Sequence, residues 1–100
     1  MDNEVESKAH NLQPSWTSHA ILRGQQRGIK QGEVNVVFNH GDVENFAGSN
    51  CYHLKISRST LLSLLKEGCI CPKLAEKCKK LVVLTDGHCV ITTFRTSHLH

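Results

Sequence analysis

The sequence predicts an α+β domain, with an N-terminal helix pair packed on a twisted antiparallel sheet of about four strands. Three observations carry this expectation. Apolar residues recur at helical spacing in two segments near the N-terminus and two in the middle, four other segments are strand-like, and turn signals separate consecutive strands. The chain has 100 residues, 39% hydrophobic and 21% charged, with two prolines, which is the profile of one compact domain and not of a repetitive or disordered one. A core at this length is attainable but thin, since somewhat over ~60% of the unfolded surface is hidden on folding.

Residues 1–15 are polar and aperiodic and are expected to form a flexible tail, leaving residues 16–100 as the single domain. Thr17 or Ser18 can cap a first helix that continues through His19 to about Arg27, where Gly28 supplies a left-handed stop. A second helix begins near Lys30, carries Val34, Val37 and Phe38 on one face, and closes at Gly41. Residues 43–47 and 51–56 read as strands joined by Gly48, Ser49 and Asn50. Helical period returns over 57–67, with Leu61, Leu64 and Leu65 on a face and Gly68 at the stop. Pro72 opens another short helix through Lys80. Residues 81–85 and 89–94 are β-prone, with Asp86-Gly87 as the hairpin turn. The order is α-α-β-β-α-α-β-β, with no internal repeat. Ile21, Val37, Phe38, Leu54, Leu64, Val83 and Ile91 are the expected core.

Twelve Lys and Arg against nine Asp and Glu give a net charge of +3. Asp2, Glu4 and Glu6 fall in the tail, so the basic excess belongs to the part that folds. An acidic N-terminus without a following apolar run predicts no secretory leader, and no segment has the length of a membrane span. The expected location is the cytoplasm, where five cysteines would be free thiols. Cys69, Cys71 and Cys78 do not have the paired spacing of a zinc site, so no metal is assigned, and Cys69 and Cys71 are expected to be small apolar fillers at a helix junction.

His19, Arg23 and Arg27 recur every fourth residue, and each step of four advances only ~40° around a helix. The three share one face. An imidazole beside two guanidinium groups suits phosphodiester chemistry: histidine moves protons near neutral pH, and arginine grips phosphate and the charge of its transition state. A solvated helix face fits the same spacing. Lys73, Lys77 and Lys80, with Lys79 beside them, form a basic stripe that is either solvated or in contact with RNA phosphates or an acidic protein. His53 is expected to be exposed on its strand. His40 is expected to complement a helix C-terminus.

The string from Ser18 to Ile29, with its H-A-x-x-R-x-x-x-R-G-I pattern, resembles the N-terminal motif of a family of small bacterial domains. The closing residues 81–95, with Thr92, Thr93 and Phe94, resemble that family's last two strands. The resemblance covers residues 16–57 and 80–95. It implies a layout similar to RelE/ParE-like toxins and, more remotely, to barnase-like and colicin-type ribonucleases, with residues 57–80 as an inserted helical pair. By that resemblance the chain is an RNase-like toxin domain that cleaves RNA without metal or other cofactor. His19, Arg23 and Arg27 would be catalytic, Arg23, Arg27 and Arg95 would bind RNA, and Thr93 and His98 are additional candidates. RNA or ribosome-associated RNA is the implied target, and an acidic antitoxin or immunity protein the implied partner, with no membrane involved. The alternative is a noncatalytic interaction module whose basic surface binds nucleic acid or an acidic protein.

Overall fold

A computed structural model describes residues 14–96. In chain order the elements are β1 (Ser15–Trp16), α1 (Ser18–Arg27), α2 (Gln31–His40), β2 (Val43–Gly48), β3 (Cys51–Lys55), α3 (Arg58–Lys66), α4 (Pro72–Cys78), β4 (Leu81–Thr85) and β5 (Cys89–Arg95). The strands form one sheet in the order β1-β5-β4-β3-β2, antiparallel except for the parallel pair β1 and β5. The α+β expectation holds, and the sheet gains a fifth strand. That strand begins at Ser15, inside the segment the sequence assigns to the tail. Two residues are too few for any periodic signal, so it is invisible before the fold is known.

The helices end where local chemistry stops them. Thr17 accepts the Ala20 N–H at 3.0 Å to cap α1, and Gly28, at φ 67°, ends it in the left-handed region that a side chain disfavours. At the end of α2 the requirement is space: a Cβ on Gly41 would lie 2.6 Å from the Val37 carbonyl oxygen and 2.7 Å from Leu54 Cγ. Ser57 caps α3 by accepting the Thr60 N–H, and Pro72 occupies the first turn of α4.

One face of the sheet meets the helices. Leu54, Val83 and Thr93 lie in register across β3, β4 and β5, all buried, and Val34 and Val37 of α2 and Ala20 of α1 complete the core above them. The neighbouring row, His53, Leu84 and Thr92, therefore points to the opposite face. Cys78, Ala75, Leu61 and Leu64 extend the core from α4 and α3. Among the described residues no helix is long and apolar enough to cross a membrane.

Four expectations about the core need correction. Ile21 is 48% exposed, because α1 turns its smallest residues, Ala20 and Gly24, inward, Gly24 lying close to Trp16. Ile91 is only half-buried: an irregularity between Leu84 and Thr85 pairs Val90 with Thr85, so Val90 takes the core position and strict alternation fails. Phe38 is only half-buried, and Val34 and Val37 supply the core contacts of α2. Cys69 and Cys71 are exposed, so they fill nothing, whereas Cys78 is fully buried.

Candidate functional site

The site grows from the outer edge of β5. Beyond the two-residue β1 this edge would present bare carbonyls, and α1 satisfies them from its two ends. At the start of the helix the Thr17 N–H donates to the Val90 carbonyl at 3.1 Å, and the Thr17 hydroxyl donates to the Ile91 carbonyl at 3.0 Å. At the other end Arg27 Nη1 donates to the Thr93 carbonyl at 2.5 Å. Arg95 returns the contact, Nη1 donating to the carbonyl of Arg27 at 3.3 Å, where a cation also complements the helix C-terminus.

The second Arg95 amine, Nη2, binds Glu33 Oε1 at 2.6 Å. Glu33 is 2% exposed and sits at the third position of α2, where its other oxygen accepts the Lys30 N–H and completes the start of that helix. A buried carboxylate is costly unless paired, and its pairing here holds an arginine side chain that is one-third exposed. Among the described residues, two of the five Arg95 N–H donors are committed in these bonds.

Arg27, Phe94 and Arg95 line a cleft of about 540 Å³. Arg95 is also a wall of a second cavity, about 330 Å³, whose other lining residues are Glu76, Lys77, Lys79 and Lys80. Lys79 pairs with Glu76 at 2.8 Å, and that hydrogen bond holds the Glu76 carboxyl below its ordinary range. The surface around Arg95 thus joins two guanidinium groups, three ammonium groups and an aromatic ring.

Of the residues singled out from sequence, Arg27 and Arg95 come together. Arg23 lies one turn back along α1, half-buried, and donates to Gln26 at 3.1 Å. His19 is exposed and lies eight residues from Arg27, about 12 Å along the helix axis, so these two do not converge on one phosphate. Thr93 offers its backbone to Arg27, but its side chain is buried with its hydroxyl unpaired among the described residues, beneath the helices and away from the cleft. His98 lies outside the described residues, as does residues 1–13 of the tail.

The expectation that His53 is exposed on its strand needs correction, because strand order brings an aromatic ring beside it. His53 is half-buried, and its ring meets Phe94 edge to face, centroids 5.7 Å apart. The two strands are separated by β4, and no sequence pattern announces that order. Cys78 donates weakly to the Glu33 carbonyl at 3.7 Å, and burial, aided by Glu33, pushes its thiol up to about 12. It is therefore protonated and unreactive at neutral pH. No group of three His, Cys, Asp or Glu side chains suited to a metal occurs among the described residues.

Comparison with family models, with curated proteins and with solved structures finds no match to this chain.

Proposed function

We propose that this domain binds RNA through its phosphate backbone, with the cleft between Arg27 and Arg95 as the centre of the contact. The observation that carries this reading is the preorganised Arg95: a buried carboxylate and a helix-end carbonyl fix its guanidinium at the wall shared by two open, basic cavities. A guanidinium already held in place loses less freedom on gripping a phosphate than a free side chain does. An acidic antitoxin or immunity protein is the protein partner that would compete for the same surface.

Titration of labelled RNA at several salt concentrations tests the reading. Binding should weaken steeply with salt, and removing Lys77 or Lys80 should lower the slope of log K against log salt by about one each. RNA binding that is absent at low salt, or indifferent to these lysines and to Arg27, would refute it.

Cleavage is the second reading, favoured by the contact of His53 with Phe94, the aromatic residue of the cleft lining. In metal-independent cleavage a base takes the 2′-hydroxyl proton, the oxygen attacks phosphorus, and an acid protonates the departing 5′-oxygen. His53 would serve in one of these proton transfers for a strand that crosses Phe94, while His19 would serve a strand lying farther along α1. The two are separable: replacing the histidine in use should slow cleavage by roughly 100- to 10,000-fold with binding retained. A chelator-treated protein that binds transcripts but cuts none would leave the binding module alone standing.

A further inference from the structure

The cleft contains one group that phosphate binding does not use. Phe94 lines it together with the two arginines, and its ring is fixed from beside by His53. Directly opposite Phe94 on β4 is Val82, 3% exposed, although it belongs to the sheet face away from the helices. Phe94 is therefore half-buried on an apolar floor and half open to the cleft. An aromatic ring with a ring packed at its edge and two arginines in the same cleft lining is a platform for a planar partner.

The second basic cavity shares Arg95 with this cleft. A ligand that follows both cavities must put something flat on Phe94 and negative charge beside Arg95, Lys77 and Lys80. A duplex meets the charge requirement only, because its base faces are stacked inside. An unpaired strand meets both.

We propose that the surface selects single-stranded RNA, one base stacking on Phe94 while the adjoining phosphates run past Arg27 and Arg95 into the Lys77 and Lys80 cavity. This rests on the RNA-binding reading above and adds the strand type and the path. Phe94 supplies a contact that tolerates any base, since every base has a π face, so the preference is for unpaired structure and not for sequence. Arg95 sets the join between the two cavities: its bonds to Glu33 and to Arg27 hold its guanidinium, and its remaining donors serve the backbone between base and lysines.

The experiment compares a single-stranded RNA bearing 2-aminopurine with a blunt RNA duplex of equal length, using the full chain. The unmodified protein should bind the single strand more tightly and quench the aminopurine. Phe94→Leu, which keeps an apolar group on Val82, should lose roughly 5- to 150-fold in single-strand affinity with its salt slope unchanged, and Phe94→Trp should restore it. Lys77→Ala with Lys80→Ala should lower the slope by about two and leave the quenching at saturation intact. Equal affinity for duplex and single strand, no quenching, or a Phe94→Leu protein that melts and binds like the parent overturns the single-strand proposal while the backbone reading stands. Failure to bind either RNA at low salt overturns both.

Discussion

The two ends of one helical stripe behave differently. Arg27, at the C-terminal end of α1, is tied to the Thr93 carbonyl, lies under the Arg95 guanidinium and connects through it to buried Glu33. Toward the N-terminus the same face carries His19, exposed, and Arg23, whose hydrogen bond is to Gln26 of its own helix. Spacing alone makes the three equivalent. Tertiary structure gives Arg27 two functions, covering a strand edge and lining a cleft, and leaves His19 and Arg23 as surface groups. A charge is preorganised where the fold itself needs its hydrogen bonds.

The largest test of this contrast removes Arg95. Arg95→Ala leaves the Glu33 carboxylate buried without its counter-ion, and breaking such a pair from one side costs several kcal/mol. About 3 kcal/mol is expected, at the low end because Arg95 is itself partly exposed, against a total stability of only ~5–15 kcal/mol. Urea denaturation measures it. Adding Glu33→Gln in the same background should recover much of the loss by removing the unpaired charge. If Arg95→Ala unfolds at the parent's midpoint, the locked end is no more than a surface contact.

Arg27→Ala comes next. Its hydrogen bond is charge-assisted and covers a strand-edge carbonyl, so its loss should cost ~1.5–3 kcal/mol, whereas Arg23→Ala and His19→Ala should each stay within about 0.5 kcal/mol of the parent. Thermal melts of the three variants side by side decide the matter. A drop for Arg23→Ala as large as that for Arg27→Ala would erase the distinction between the two ends.

Most of the fold was legible because it is local. The Thr17 cap, the Gly28 stop, the Ser49-Asn50 turn with both residues at positive φ, and the Asp86-Gly87 hairpin all act within a few residues, and the elements they bound stand where periodicity puts them. Legibility failed wherever strand order or an irregularity intervened. β1 is too short to carry a pattern, and the shift after Leu84 exchanges Ile91 for Val90 in the core. The candidate site was half legible: the arginine spacing picked out Arg27, and Arg95 was named without a reason to join it. Glu33 had the signature of a helix start but nothing to mark it as a buried counter-ion, and the meeting of His53 with Phe94 depends on β5 and β3 flanking β4.

The contrast between buried and exposed also separates two carboxylates that bracket α2, and it yields the smallest expected effect. Glu33 at one end is buried against a guanidinium. Asp42, just past the other end, is exposed and accepts from the Ser57 N–H at 2.8 Å, the Ser57 hydroxyl at 2.7 Å and the Thr60 hydroxyl at 2.8 Å, tying the chain after α2 to the start of α3. The Ser57 hydroxyl is the largest cause holding the Asp42 carboxyl below its ordinary 3.8. A carboxylate whose folded pKa is lowered binds its proton less readily in the native state, so its contribution is complete above about pH 4 and disappears as the pH falls through the lower folded value. Solvent screens an exposed group, which keeps that contribution under ~1 kcal/mol. Asp42→Asn should therefore be slightly less stable than the parent near neutral pH, and the two stability curves should converge below about pH 4 as the parent's carboxylate takes up its proton. Denaturation midpoints followed from neutral to acid measure the gap. A gap that persists unchanged in acid would assign the effect to altered hydrogen-bond geometry and not to the charge on Asp42.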